Sequence, residues 1–206
     1  MRILWNGPRR AKWTFILAHG AGAAMRSPFM QFFAEQLSTH GVQVGRFNFP
    51  YMTKAIAENR RRPPDRAPKL LQAWSTIIAN ARKRLQDDQC LAIGGKSMGG
   101  RMASMSTDQK GVQALICLGY PFHPPGNLSK LRIDHLPGVR VPAMIVQGER
   151  DAFGNREQVQ GYRLPRRIKI RWLPDGDHGF QPRKSSGLST QDNWMTAIKH
   201  ITEFLD

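Results

Sequence analysis

The chain has 206 residues, of which 40% are hydrophobic and 22% are charged, and this ordinary globular balance excludes wholesale disorder and collagen-like repeats. Its 31 lysines and arginines outnumber 15 acidic residues, so the formal net charge is +16 at pH 7. The basic residues are spread along the chain without a nucleic-acid-binding motif, which predicts a basic, solvated surface, with binding of nucleic acid or another polyanion as the alternative.

Six apolar or alternating runs predict the strands of a sheet. All but the second and the last are nearly all apolar, which is typical of central parallel strands covered on both faces. In chain order the six runs cover residues 14–18, 42–49, 90–93, 114–118, 143–146 and 168–172.

Helices are predicted between these runs and at the C-terminus. Ser27-Pro28 is typical of an N-cap followed by proline, and Gly41 is typical of a helix stop, so we expect a helix over residues 28–39. Apolar residues recur at helical spacing over residues 68–86 and again from Trp194 to Leu205, which predicts two amphipathic helices.

Two longer connections interrupt this alternation of strands and helices. Residues 50–67 are basic and proline-rich and predict a mobile loop, and residues 119–141 join two strands through four prolines. Neither is long enough for a lid domain. We therefore predict a single α/β domain over residues 1–206, with a doubly wound, mainly parallel sheet, helices on both faces and no separate lid.

The segment Gly95-Lys-Ser-Met-Gly99 follows the third predicted strand and precedes a helix. A serine on a tight strand-to-helix turn needs small neighbours, because larger side chains would collide within the turn. Such a turn would expose the Ser97 hydroxyl as a nucleophile and direct the amide of Met98 at the same point. A plain helix N-cap is the alternative role for Ser97.

A nucleophilic serine needs a base, and the base needs an acid that orients it. His178 follows the last predicted strand and is the predicted base, while Asp151 follows the strand before it and is the predicted acid. The order Ser97, Asp151, His178 is typical of hydrolases with this serine motif. Glu149 is the alternative acid, or Asp151 could be a turn residue. Asp175 and Asp177 are predicted to form turns.

The first predicted strand leads into Ala18-His-Gly-Ala-Gly22, whose glycines let the backbone approach a substrate. The amide of Ala21 is the predicted second oxyanion donor, beside that of Met98. His19 is predicted to fix this loop by hydrogen bonds, with substrate contact as its other role. His123 is predicted either to line the site or to pack the loop. The predicted substrate-binding residues are His19, Gly20, Tyr120 and His123.

Cofactor and targeting signals are absent from the sequence. No residues have metal-ligand spacing, and neither a P-loop nor a dinucleotide fingerprint occurs, so we expect no metal and no other cofactor. The N-terminus lacks the apolar run of a signal peptide, and no stretch approaches the roughly 18 apolar residues of a membrane span. Cys90 and Cys117 occupy strand-like positions, which predicts core residues rather than a disulfide framework. We expect a cytoplasmic protein of undetermined oligomeric state.

Six segments of the chain together resemble a known family. They are Leu17–Gly22, Arg46–Tyr51, Gly94–Arg101, Gly119–Gly126, Gln147–Gly154 and Asp177-His178. The sequence resembles the α/β-hydrolase fold over residues 14–206, and within it the small lidless group that includes the testis-expressed and NSL chromatin-complex subunit homologues. The run Gly119-Tyr-Pro-Phe-His-Pro-Pro-Gly126 is the more specific marker of that group.

The resemblance implies a hydrolase-type site with Ser97, Asp151 and His178 as nucleophile, acid and base. It implies no particular substrate, and some relatives are known mainly as complex subunits. The very basic segment 58–69 departs from the family pattern.

Together these features predict a serine hydrolase that acts on a small-molecule ester or thioester with small or flexible acyl groups. The alternative is a scaffold of the same fold that docks on an acidic partner. Lys96, Arg101 and the arginines 60–62 are expected to form a cationic rim. Such a rim would raise the local concentration of anionic substrates, and added salt would screen it.

Overall fold

The computed structural model describes residues 1–206, in which seven strands form one sheet with the order β1-β3-β2-β4-β5-β6-β7. Only β1 runs antiparallel to its neighbour, and every other pair is parallel. The strands are β1 (Ile3–Asn6), β2 (Trp13–Ala18), β3 (Gln43–Phe47), β4 (Cys90–Lys96), β5 (Val112–Leu118), β6 (Ala143–Gly148) and β7 (Ile168–Leu173).

Six helices connect or follow these strands. Their positions place α1 and α6 on one face of the sheet and α3 and α4 on the other. The helices are α1 (Pro28–Thr39), α2 (Pro50–Ala57), α3 (Ala67–Arg82), α4 (Met98–Ser104), α5 (Arg156–Gln160) and α6 (Thr190–Leu205). No helix combines the length and the apolar character needed to cross a bilayer.

The predicted strands are confirmed, and the most apolar runs occupy the middle of the sheet. The four strands β2, β4, β5 and β6 are adjacent to one another at positions three to six of the order. Helices cover both of their faces, so side chains pointing in either direction are buried. Phe15 of β2 packs on the α1 and α6 face, for example, whereas Ile16 packs on the α3 face.

The predicted helices are also confirmed, with small changes at their ends. The helix α1 begins at Pro28, although the Ser27 hydroxyl makes no capping hydrogen bond. The helix α3 ends at Arg82, earlier than the periodicity predicted. Ser189 and Asp192 form a capping box at the start of α6, which fixes the N-terminus of this helix.

The sequence pattern missed three elements, the strand β1 and the helices α2 and α5. Residues 50–57 form the helix α2 rather than part of a loop, because proline is well accommodated at the first helical position after the extended Phe49. The four residues of β1 have no alternating pattern, since all are only half-buried at the edge of the sheet. Cys117 is buried in β5, Cys90 is partly buried in β4, and both are free thiols.

Candidate active site

Ser97 stands between β4 and α4 in a strained backbone conformation, with φ 51° and ψ −116°. Positive φ is uncommon for residues other than glycine and is often found at functional sites. The flanking glycines allow the end of β2 to pack against the turn. A Cβ atom on Gly95 would lie 2.4 Å from the Ala18 carbonyl oxygen, and one on Gly99 would lie 2.5 Å from that of His19. The spacing of the motif therefore follows from this close packing.

His178 and Asp151 lie together beyond the ends of β7 and β6. The Nδ1 atom of His178 donates to Oδ2 of Asp151 at 2.8 Å, and the carboxylate is fully buried. Gln147 Nε2 donates to the same oxygen at 3.0 Å, and the amide of Phe153 donates to Oδ1 at 2.8 Å. These donors fix the carboxylate, and the tautomer with hydrogen on Nδ1 leaves Nε2 of His178 free to accept a proton.

Ser97 and His178 line the same cavity of about 520 Å³. The expected hydrogen bond from His178 to Asp151 is formed, whereas Ser97 Oγ makes no hydrogen bond to the imidazole ring. Catalytic hydrogen bonds are often long without substrate and tighten in the reacting complex. His178 and Asp151 are thus a hydrogen-bonded pair, and Ser97 lines the same cavity as His178.

The other carboxylates near His178 have different partners. Glu149 accepts from Arg156 at 2.5 Å and from the backbone amide of Asp175 at 3.0 Å. Asp175 pairs with Arg183, which lowers the pKa of that carboxyl group. Asp177 accepts backbone amides of its own turn, as predicted for a turn former. Glu149 is therefore not the acid that orients His178.

The two amides predicted as oxyanion donors border Ser97. The N–H of Ala21 has no hydrogen-bond partner within the protein, and Met98 is the first residue of α4, where the N–H lacks an intrahelical acceptor. Two side-chain hydrogen bonds fix the loop that carries Ala21. Tyr51 donates its hydroxyl to the Ala21 carbonyl at 3.0 Å, and His19 Nδ1 donates to that of Gly20 at 2.6 Å.

Three of the four predicted substrate contacts are corrected by the structure, and only Gly20 lines the cavity. His19 is fully buried, where its Nε2 accepts from the amide of Phe49, and burial lowers the pKa of this imidazole to about 4. Tyr120 is buried and donates its hydroxyl to the Arg132 carbonyl. His123 is also buried, so it packs the loop as the alternative proposed. The sequence pattern does not distinguish these three residues from residues that line the site, because both kinds follow the ends of strands.

The cavity of about 520 Å³ that contains Ser97 and His178 is lined on one side of the serine by aromatic residues, and we call it the apolar cavity. Phe29 and Trp194 lie in predicted helices, and Phe153 lies in the loop that carries the predicted acid. No local pattern indicated that these three rings would line one cavity beside the serine. The larger apolar side chains that line it are Phe29, Met30, Phe153 and Trp194.

Lys96 lines the apolar cavity, and its ammonium group contacts the protein rather than forming part of a solvated rim. Its Nζ donates to the carbonyl oxygen of His178 and lies 5.5 Å from the ring centre of Phe29. Burial lowers the pKa of Lys96 to about 8, although Asp151 and Asp177 act in the opposite direction. The ammonium group therefore supports the backbone that carries His178.

The other side of Ser97 is a second cavity of about 360 Å³, which we call the basic cleft. It lies beside the first turn of α4, and Ala21 borders both cavities. Its charged residues include two arginines, of which sequence indicated only Arg101. The basic cleft is lined by Ala21, Pro64, Asp65, Ala67, Leu70, Ser97, Met98, Arg101, Met102, Pro121, Arg132 and Phe153.

The arginines 60–62 line a third cavity, which also includes Ala21 and Gly22. They therefore lie near the loop beside Ser97, as expected of the cationic rim. However, Arg60 and Arg62 both pair with the carboxylate of Glu58, which offsets part of their charge. A role of these arginines in attracting anionic substrates stays a prediction.

Comparison with known proteins identifies the fold. A family model described as an alpha/beta hydrolase domain matches residues 11–206. The chain belongs to this alpha/beta hydrolase family.

The described residues contain no group of three or more His, Cys, Asp or Glu side chains arranged to hold a metal ion.

Solved structures of alpha/beta hydrolases share the fold at low sequence identity. A serine hydrolase without a lid from Xanthomonas campestris is 18% identical, with a TM-score of 0.70 over 96% of this chain and 86% of that one. A serine hydrolase homologue from Coxiella burnetii is 17% identical, with a TM-score of 0.69 over 98% and 88%. Est1E from Butyrivibrio proteoclasticus, bound to ferulic acid, is 16% identical, with a TM-score of 0.68 over 97% and 95%. The predicted lidless alpha/beta hydrolase fold is confirmed.

Proposed function

We propose that this alpha/beta hydrolase is a serine hydrolase of carboxylic esters or thioesters, with Ser97, His178 and Asp151 as its catalytic triad. The observation that carries the proposal is the buried hydrogen bond from His178 Nδ1 to Asp151, beside a strained Ser97 on the same cavity. Strain at Ser97 and a buried carboxylate are both costly, and catalysis is a reason for a fold to retain them together.

In the first half-reaction, Ser97 Oγ attacks the carbonyl carbon while Nε2 of His178 takes the hydroxyl proton. The carbonyl π electrons move to the oxygen, which accepts hydrogen bonds from the amides of Met98 and Ala21. Collapse of this tetrahedral intermediate breaks the bond to the leaving oxygen or sulfur. His178 gives the proton to that atom, which leaves as an alcohol or thiol.

In the second half-reaction, water attacks the acyl-enzyme. His178 takes a proton from the water and returns it to Ser97 Oγ as the acyl bond breaks, so the acid product leaves and the enzyme is restored. Asp151 keeps the imidazole in one tautomer and stabilises its charged form. A conformational opening step is not required, because no lid covers the cavity.

We also propose that the protein belongs to the small group of testis-expressed and NSL-subunit homologues within this family. The motif Gly119–Gly126 supports this assignment, and the side chains of Tyr120, Phe122 and His123 within it are buried and contribute structure. Tyr120 receives a hydrogen bond at its carbonyl from Gln147, which also donates to Asp151. The motif therefore acts by holding the acid of the proposed triad.

A fluorophosphonate probe tests the proposed nucleophile directly, because it reacts with activated serines whatever the natural substrate. We expect stoichiometric labelling of the protein and loss of labelling in Ser97→Ala. Hydrolysis of benzyl pentanoate should fall at least about 10⁴-fold in the same variant.

Ser129→Ala is the matched control, since Ser129 is an exposed loop serine whose hydroxyl donates a hydrogen bond to Asn127. It should keep both labelling and turnover. If the parent protein is neither labelled nor active on esters, the proposed function is wrong and the scaffold alternative gains.

A further inference from the structure

Two guanidinium groups in the basic cleft have no partner within the protein. The side chains of Arg101 and Arg132 both line this cleft beside Ser97. Neither forms a hydrogen bond or an ion pair, and the Nε atom of Arg101 is buried without an acceptor. Buried polar atoms in proteins are nearly always paired, so an unpaired one requires an explanation.

The two arginines are also close enough to repel each other. Burial and the charge of Arg101 together lower the pKa of Arg132, and the same two effects lower that of His135. Arg101 stands one helical turn after Ser97, and Arg132 is held by a backbone hydrogen bond to Phe122 at 2.8 Å. The fold therefore places two cations side by side at a cost that no group of this chain offsets.

The one carboxylate in the basic cleft is already engaged. Asp65 accepts from Lys69 at 2.7 Å with one oxygen and from the amide of Tyr51 at 3.0 Å with the other. It therefore does not neutralise either arginine, and the cleft keeps a net positive charge. An anionic ligand would supply the acceptors that the protein lacks, because arginine binds carboxylate and phosphate oxygens in pairs.

The chemistry of ester cleavage decides which part of a substrate enters the basic cleft. His178 must give a proton to the leaving atom, and His178 lines the apolar cavity but not the basic cleft. The leaving alcohol or thiol therefore lies in the apolar cavity. The acyl group extends in the other direction, past Met98 and towards Arg101.

We propose that Arg101 and Arg132 form a binding site for an anionic group at the far end of the acyl chain. This inference rests on the proposed function and names its substrate class. The substrate is an ester or thioester whose acyl part ends in a carboxylate or a phosphate-type group, and whose alcohol or thiol part is apolar. The guanidinium groups bind the anion and do not take part in bond breaking.

Three benzyl esters with matched acyl chains test the site. Monobenzyl glutarate carries a terminal carboxylate, benzyl 4-phosphonobutanoate carries a phosphonate, and benzyl pentanoate ends in a methyl group. We expect kcat/KM of the parent protein to be at least about tenfold higher for an anionic ester than for the pentanoate, since hydrogen bonds to charged groups are strong. The faster of the two anionic esters identifies the preferred anion.

The variants Arg101→Gln and Arg132→Gln should each reduce the ratio of anionic to neutral kcat/KM to within about threefold of one. Two variants are used so that a folding defect in one, detected by circular dichroism, leaves the other as the test. The control is Arg140→Gln with Arg167→Gln, which removes two charges at the opposite edge of the sheet, before β6 and β7. This control should keep the ratio of the parent protein.

Equal kcat/KM for the anionic and neutral esters in the parent would overturn the anion site while leaving the hydrolase proposal standing. Retention of the ratio in both arginine variants, or an equal loss in the control, would also overturn it, because the effect would then come from overall charge. Absence of turnover for all three esters together with an unlabelled Ser97 would refute the proposed function itself, and the anion site with it.

Discussion

The two sides of Ser97 differ in how their polar groups are satisfied. In the apolar cavity, Lys96 donates to the carbonyl of His178, and the indole of Trp194 donates to that of Gly179 at 3.0 Å. In the basic cleft, the guanidinium groups of Arg101 and Arg132 have no acceptor. The polar groups of the apolar cavity are paired without a ligand, and they hold the backbone around His178. The two arginines of the basic cleft lack acceptors, which a ligand would supply. Two unpaired guanidinium groups in one cleft beside Ser97 thus indicate recognition more sharply than the net charge does.

The largest effect is expected at Asp151, which is buried behind His178 of the apolar cavity. Asp151→Asn should lower kcat about 10⁴-fold, because the amide would favour the wrong tautomer of His178 without emptying the site. Hydrolysis of benzyl pentanoate, measured by release of benzyl alcohol, checks this. Glu149→Gln is the matched control, since Glu149 pairs with Arg156 instead, and it should keep kcat within about threefold. A reversal of these two results would make Glu149 the acid.

The loop between the two cavities is expected to make stability depend on pH through His19. Burial lowers the pKa of this imidazole from 6.5 to about 4, so the unfolded chain binds more protons than the folded protein between these values. The free energy of unfolding should therefore fall by about 3 kcal/mol as pH falls from 6.5 to 4.

Urea unfolding at several pH values checks this contribution. His19→Gln should be less stable at pH 7 but should lose about 3 kcal/mol less over the same pH range. His40→Gln, at an exposed position, is the control and should follow the parent curve. Parallel curves for the parent and His19→Gln would show that His19 is not the buried neutral group described here.

The smallest effect concerns the apolar cavity as a site for the leaving group. Phe29→Ala removes a ring that lines this cavity. We expect kcat/KM for benzyl pentanoate to fall about tenfold relative to ethyl pentanoate, because a benzyl group would lose apolar contact area that an ethyl group does not use. An unchanged ratio of the two esters would place the leaving group elsewhere and weaken the assignment of the two sides.

Local sequence patterns determined most of the framework. The apolar runs identified the central strands, and proline after Ser27 identified the start of α1. The grouping of Ser97, Asp151 and His178 could be predicted because each residue follows a strand. Parallel strands bring their carboxyl ends to one edge of the sheet. The need for glycines in the serine turn could also be predicted, since the close packing there leaves no room for a larger residue.

Tertiary structure alone decided which side chains face the site. His19, Tyr120 and His123 follow strand ends as the site residues do, yet their side chains turn into the core. Arg101 and Arg132 come from a helix and a distant loop, and no local pattern records that the fold brings them together. Strand and helix periodicity reports burial of one element at a time, whereas a binding site depends on contacts between elements far apart in the chain.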